Sequence, residues 1–301
     1  MNREIGTRLD GRVAIVTGAG AGLGRCHALA LAGWGARVVV NDLDEEKADA
    51  VAEEVRAQGG EAIGVAASVT DEARVAAMME RAMTEWGRID ILVSNAGILR
   101  DKSFAKMTLD DFRLVVDVHL IGAAICAKAV WPIMQQQRNG RIVLTTSSSG
   151  LYGNFGQANY GAAKMALVGL MQTLAIEGER YGIRVNCLAP TAATGMTENV
   201  LAPSALARLD PALVSPGLLA MVADDAPTRA ILCAGGGHFA RAFVTLTEGC
   251  RIGSEDAAER VIANWDAIGD RAGEIVPEYG FTQAERELGA AGVKSVMAAA
   301  R

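Results

Sequence analysis

Cysteine is sparse in this 301-residue chain: Cys26, Cys126, Cys187, Cys233 and Cys250 are scattered and form no CxxC pair. An odd, dispersed set of thiols speaks against a disulfide framework and against a zinc site, so no metal is expected. Basic charge is not in excess. Lys and Arg number 29 against 35 Asp and Glu, a formal net charge of −6, which argues against a general nucleic-acid binder. Uninterrupted apolar stretches are far shorter than a membrane span. The opening MNREIGTRLDGR carries charges where a signal peptide has its apolar core, and the closing VMAAAR is neither a peroxisomal nor a prenylation signal. These absences lead us to expect a reduced, cytoplasmic protein with no membrane span.

What is abundant is apolar residues, half of the chain, and glycine, 34 of 301, where about 7% is usual. Eight glycines fall in the first 35 residues without a collagen period, which points to a special backbone there. Short Val- and Ile-rich runs read as buried strands: RVAIVT at 12–17, ARVVVND at 36–42, then AIGVAA, RIDILVSNAG, RIVLTTSS at 141–148 and GIRVNCLAP at 182–190. Between them lie helical stretches, among them 44–60, 109–137 and 158–181. Alternation of this kind implies βαβ crossovers and an α/β fold whose parallel sheet is covered on both faces. Ligands of such sheets bind at the carboxyl ends of the strands.

After Pro190 the pattern loosens. Prolines at 203, 211, 216 and 227 and the run GGGH at 235–238 punctuate it. We expect one catalytic domain over 8–255 and a C-terminal helical extension over 256–301.

Three constellations carry chemistry. The first is TGAGAGLGR, Thr17 to Arg25, between a strand and a helix. Gly18, Gly22 and Gly24 allow a tight turn and a close approach to a pyrophosphate, which then sits on the helix N-terminus. Asp42 closes the second strand, where an acid can accept both ribose hydroxyls of NAD and repels the 2′-phosphate of NADP. Taken alone, Asp42 also reads as a solvated acid opening a turn. The second constellation is Tyr160 with Lys164, one helical turn apart and on one face. An ammonium beside a phenol favours phenolate and makes it a usable base. By itself Tyr-x-x-x-Lys is more often an ordinary helix face. The third is the run Ser147–Ser148–Ser149 at a strand end. Ser147 is placed to hold a substrate oxygen, and no His–acid relay at nearby spacing supports a serine hydrolase; Ser148 and Ser149 read mainly as a polar exit from the strand.

Together with Asn95-Ala96-Gly97 and strand-end Pro190, these motifs resemble the short-chain dehydrogenase/reductase superfamily over roughly residues 10 to 250. The resemblance implies a Rossmann-like, doubly wound parallel sheet and hydride transfer between NAD(P) and an alcohol or carbonyl. It makes Tyr160 the acid/base, Ser147 the partner of the reacting oxygen, and Lys164 the holder of the nicotinamide ribose. On the cofactor side it implies Gly18, Gly22, Leu23, Gly24, Asp42, Asn95, Ala96, Gly97 and Pro190. Ser68-Val69 falls where the family flanks adenine, though an Asp is usual at the first position, and Thr194 is placed for the carboxamide. The family's usual catalytic Asn is replaced in Val118-His119-Leu120-Ile121-Gly122. His119 is expected either to order a water in the proton relay or to fill a helix–sheet contact. That His, with NAGILRDKSF and YGNFGQANYGAAK, resembles the (3R)-hydroxyacyl-CoA dehydrogenase unit of the peroxisomal multifunctional enzyme type 2 family, including 17β-hydroxysteroid dehydrogenase type 4, and its bacterial relatives. The likeness is to the dehydrogenase unit alone, without hydratase or sterol-carrier segments.

The expectation is therefore an NAD-dependent oxidoreductase acting on a hydrophobic small molecule, a 3-hydroxyacyl-CoA or a steroid, and forming a homodimer or homotetramer. A 17β-hydroxysteroid dehydrogenase, a 3-oxoacyl-acyl-carrier-protein reductase and a non-catalytic NAD-binding regulator are the rival readings.

Overall fold

The computed structural model describes residues 9–195, 197–198 and 202–289. Two compact units divide the chain, Met1–Arg241 and Ala242–Arg301.

In the first unit the Val- and Ile-rich runs form β1 (Val13–Val16), β2 (Arg37–Asp42), β3 (Ala62–Ala66), β4 (Ile91–Ser94), β5 (Gly140–Thr145) and β6 (Ile183–Pro190). Every residue of β1, β4 and β5 is buried, as strands covered on both faces must be. The sheet order is β3-β2-β1-β4-β5-β6-β7-β8, and neighbours from β3 to β7 pair in parallel. The chain starts in the middle, runs out to β3, and returns to the other side of β1. That reversal makes the carboxyl ends of β1 and β4 the topological switch point, where open α/β sheets place their ligands.

Two strands go beyond the sequence expectation. β7 (Ile231–Gly235) and β8 (His238–Ala242) extend the sheet past β6. The glycine run that reads as a break is their hairpin turn: Gly236 and Gly237 have φ of 56° and 78°, the left-handed pair that a two-residue turn requires.

Helices α1 (Gly22–Gly33), α2 (Glu45–Ala57) and α3 (Glu72–Trp86) follow the first three strands. Asp44 and Asp71 cap α2 and α3, accepting from the backbone N–H of Lys47 and Arg74. Beneath α1 and α2 lies a core in which Ala28, Leu31, Val51 and Val55 pack with Val16, Val38 and Val40. Each large side chain buried there contributes roughly 1.5–3 kcal/mol.

Helices α4 (Leu109–Val116) and α5 (Gly122–Gln137) are joined by a π turn at Asp117–Ile121. The combined helix is long and apolar enough to cross a membrane by length and composition. Its inward face, with Val115, His119, Ala123, Cys126, Val130 and Met134, is buried within the protein. The remaining helices of this unit are α6 (Ser148–Tyr152), α7 (Ala158–Gly178), α8 (Pro203–Leu206) and α9 (Ser215–Val222).

The second unit holds α10 (Ala257–Ala263), α11 (Trp265–Ile268) and α12 (Phe281–Gly289). An antiparallel bridge links Leu246 to Ile275, and Arg286 donates to the Thr247 carbonyl at 2.6 Å. The boundary expected at 255/256 falls inside this unit, and residues 290–301 of the expected extension lie outside the described residues.

Candidate active site

The loop after β1 is shaped by what it must pass. A Cβ at Gly24 would lie 2.2 Å from the Gly18 carbonyl oxygen and 2.7 Å from Asn95 Nδ2. Gly18 turns with φ of 60°, and a Cβ there would lie 2.7 Å from the Ala96 backbone. Asn95 holds this loop in place: its Nδ2 donates to the carbonyls of Thr17 and Gly18 at 3.0 and 3.1 Å. The backbone N–H groups of Asn95 and Ala96 both donate to Thr17 Oγ1. Expected on the cofactor side, Asn95 does border the cleft, yet both bonds of its amide nitrogen go to the glycine loop.

The loop leads into an unusual helix start. The N-terminus of α1 has no side-chain cap and no acid in its first turn, in contrast to α2 and α3. Its first backbone N–H groups are left for an anion. Asp42 stands beside it, its carboxylate accepting from the N–H of Gly20 at 3.0 Å and of Asp44 at 3.2 Å.

These elements form one end of a cleft of about 500 Å³. Gly18, Gly22, Leu23, Gly24, Asp42 and Asn95 line it, as do Ala96, Gly97, Pro190 and Thr194. Ser147, Tyr160, Lys164 and His119 line the same cleft. Ser68 and Val69 do not. The Ser68 hydroxyl pairs with Thr70 Oγ1 at 2.8 Å; Val69 is buried over Gly122, where a Cβ would come within 2.6 Å of Val69 Cγ2.

At the reactive end, Ser147 follows β5 and caps α6, accepting from the Ser149 N–H at 3.2 Å. Tyr160 sits in the first turn of α7, hydrogen-bonded to the Ser147 hydroxyl. One turn on, Lys164 Nζ lies 5.5 Å from the Tyr160 ring centre and donates to the Thr145 carbonyl. The His119 ring meets Tyr160 edge to face, 5.2 Å between centres.

Burial governs the protonation of all three. It pushes the Tyr160 phenol up, while the Ser147 hydrogen bond pulls it down and the Asp101 carboxylate adds to the rise. Burial pulls Lys164 down to about 7, which weakens the expected push of a full ammonium on the phenol. His119 is held down to about 3, by burial first and Lys164 next, against a hydrogen bond to Ile98. It is a neutral imidazole at physiological pH, not a group titrating there. Its Nε2 lies 2.8 Å from the Ile98 carbonyl and 3.1 Å from the Ile98 N–H, and its Nδ1 is buried without a hydrogen-bond partner.

Some cleft residues escape sequence reasoning. Thr197 orders the loop after β6 by accepting from the Thr194 N–H at 2.8 Å. Gln157 and Ser149 also face the cleft. The one sequence signal for Gln157 is its place at the N-cap of the helix that carries Tyr160. His27, which reads as structural or surface, is buried and pairs with Ser215 Oγ at 2.9 Å.

Residues 12–204 match the short chain dehydrogenase family. The chain belongs to that family. It is 54% identical over 200 residues to peroxisomal multifunctional enzyme type 2 of Drosophila melanogaster, covering 64% of this chain and 33% of that protein. The chain thus spans about a third of that relative's length. The full-length structure of the same fly enzyme superposes with a TM-score of 0.79 at 38% identity, covering 94% of this chain and 50% of the other. A short-chain type dehydrogenase/reductase of Mycobacterium tuberculosis is 43% identical over 272 residues, 87% of this chain and 95% of the relative. A 7α-hydroxysteroid dehydrogenase solved with NADH and a 7-oxo bile acid superposes with a TM-score of 0.73 at 31% identity, over 79% of this chain and 98% of that one. As a member of the short chain dehydrogenase family the chain is an oxidoreductase. The glycine cradle and the uncapped start of α1 fit the NAD(P) that the family binds.

Proposed function

We propose that this short-chain dehydrogenase uses NAD to interconvert a secondary alcohol and a ketone on a 3-hydroxyacyl-CoA. The observation that carries the cofactor choice is Asp42, whose carboxylate is fixed on the Gly20 N–H at the rim of the cleft. A fixed negative charge there accepts two ribose hydroxyls and repels a 2′-phosphate. The substrate class rests on likeness to multifunctional enzymes with a dehydrogenase unit. The steroid reading is favoured by the similarity to the 7α-hydroxysteroid enzyme.

The N–H groups at the start of α1 would hold the pyrophosphate, and Lys164 the nicotinamide ribose. When bound there, the cofactor would supply the hydride chemistry. In oxidation Tyr160 Oη takes the alcohol proton while Ser147 Oγ holds the same oxygen. Phenolate at Tyr160 needs positive charge nearby to offset its burial, and Lys164, 5.5 Å from the ring centre, is the cation placed to supply it. Neutral His119 keeps the Ile98 segment against the back of the cleft. Met165 and Ile176, exposed on α7, suit a homodimer or homotetramer built on that helix.

The test is oxidation of NADH by the purified protein against 3-oxoacyl-CoAs and 17-ketosteroids, repeated with NADPH and with Asp42→Ala. Acyl-CoA turnover with NADH is expected, at least tenfold over NADPH, and Asp42→Ala should erode that preference. Turnover of steroids alone would replace the substrate, and an unchanged preference in Asp42→Ala would remove Asp42 from cofactor choice.

A further inference from the structure

Beside the reacting groups lies a set of polar side chains that the mechanism above does not use. Gln157 is buried at the N-cap of α7, yet its side chain makes no cap. Instead its Oε1 accepts from Ser149 Oγ at 2.7 Å and from Asn154 Nδ2 at 3.1 Å. Its Nε2 donates to Asp101 Oδ2 at 2.6 Å. With two donors on the oxygen and a carboxylate on the nitrogen, the amide has one orientation only. The bond to Asp101 is charge-assisted, the stronger kind.

Three segments meet at this amide, and each supports a reacting group. The loop after β4 carries Asp101 and, through Ile98, holds His119. The start of α6 carries Ser149, whose N–H bonds Ser147 Oγ. The first turn of α7 carries Tyr160. Two further bonds run parallel to the amide: Lys102 N–H to the Gly156 carbonyl at 2.9 Å, and fully buried Asn159 Nδ2 to the Arg100 carbonyl at 3.1 Å. The two backbone-directed bonds align the loop with the helix start. Gln157 ties both to the serine segment.

We propose that Gln157 and Asp101 are a positioning pair that latches the loop after β4 to α6 and α7, fixing Tyr160 against Ser147. The proposal rests on Tyr160 and Ser147 being the reacting pair. Neither Gln157 nor Asp101 needs to touch the substrate. The latch also decides where the Asp101 charge sits. Facing Tyr160 are Ser147 from the β5 end, His119 from the π turn, Lys164 from α7 itself, and Asp101 from the loop. His119 is neutral, so Asp101 is the negative charge set against Lys164. A latched Asp101 opposes phenolate, and Lys164 favours it.

This gives the latch a signature independent of any substrate. The chain has four tyrosines, so the ionisation of Tyr160 can be read as the ultraviolet difference between the protein and Tyr160→Phe. Asp101→Asn keeps an acceptor for Gln157 and removes the charge. It should lower the Tyr160 midpoint by about half a pH unit, the scale of a partly screened charge. Asp101→Glu should restore it. Gln157→Met, which removes the donor that fixes the exposed Asp101 carboxylate, should lower the midpoint in the same direction. It should also reduce kcat about tenfold with NADH binding unchanged, as loss of alignment without loss of contact does. Asp110→Asn, an exposed carboxylate paired with Arg113, serves as the control and should move nothing. An unmoved midpoint in both Asp101→Asn and Gln157→Met, each folded by circular dichroism, would overturn the latch. A Tyr160→Phe protein that still turns over would instead overturn the mechanism, leaving the latch to be judged by the titration alone.

Discussion

Two buried cations stand at opposite ends of β5 and have opposite fates. Arg141, near the strand's start, is 4% exposed; Lys164, bonded to the carbonyl of Thr145 at the strand's end, is 3% exposed. Arg141 donates to the carbonyls of Ala223, Gly140, Gly182 and Asp224 and to Asn139 Oδ1, all between 2.8 and 3.2 Å. Burial and its arginine neighbours bring it down only to about 10, so it stays charged at neutral pH. Lys164 comes down to about 7. Burial lowers both groups, but a guanidinium starts from 12.5 and an ammonium from 10.5, and the two also differ in company. A guanidinium offers five donors in a fixed fork and is satisfied there by the protein. The ammonium opens on a cleft, and its charge is available to a ligand. The amino edge of the sheet is finished structure; the carboxyl edge is completed by what it binds.

The largest effect that would break this comparison is on stability at the amino edge. Arg141→Met removes five hydrogen bonds made by one buried side chain, which should cost about 3 kcal/mol. Urea unfolding reads it directly, while kcat per folded molecule should stay at the parent value. A loss under about 1 kcal/mol, the net worth of one ordinary hydrogen bond, would mean that Arg141 is not the keystone its bonds suggest.

What is legible in the sequence follows the same division. β1, β2, β4, β5 and β6 announce themselves as Val- and Ile-rich runs because both faces are buried. β7 and β8 do not. ILCAG and HFARA flank a glycine run, and at the sheet edge, where β8 is mostly exposed, burial writes no pattern into the residues. The glycines look like an interruption unless two of them are read as a hairpin turn. At the site, Ser147, Tyr160 and Lys164 are visible because a strand end and one helical turn fix them. Asp101 lies 56 residues before Gln157, and no local rule pairs them. Asn95 reads as a cleft residue, and it is one, but its tie to the glycine loop depends on two strand ends meeting at the switch point. Ser68 and Val69 rest on position alone, and neither side chain reaches the cleft.

A second, intermediate effect concerns buried bases that avoid charge altogether. His27, with Ser215 beside it, is held down to about 3 by burial, and His119 likewise. The unfolded chain takes up a proton at each near 6.5, and the native protein does not until far lower pH. Their contribution is therefore fully present above that value and is lost as the pH falls toward about 3. By about pH 5 each should have cost about 2 kcal/mol. Comparing unfolding at neutral pH and at about pH 5 should show that slope, and His27→Leu should remove its own share of it. An unchanged slope in His27→Leu would place the acid sensitivity elsewhere.

The smallest effect is the sharpest, because its sign is opposite. Lys164 has a native midpoint of about 7, against an ordinary value of 10.5. The unfolded chain binds that proton more tightly between those values, so Lys164 lowers stability at neutral pH and ceases to do so as the pH rises to 10.5. Lys164→Met should therefore stabilise the fold at neutral pH, by about 1 kcal/mol, while abolishing turnover. As the pH is raised the parent gains about 1.4 kcal/mol per pH unit up to 10.5, so the variant's advantage should vanish within about one pH unit and then reverse. Arg141→Met loses stability and keeps its chemistry; Lys164→Met does the reverse. If Lys164→Met instead lost about as much stability as Arg141→Met, the two cations would be the same kind of group. The carboxyl edge would then be satisfied structure like the amino edge, and a lysine held ready for a ligand would have no support.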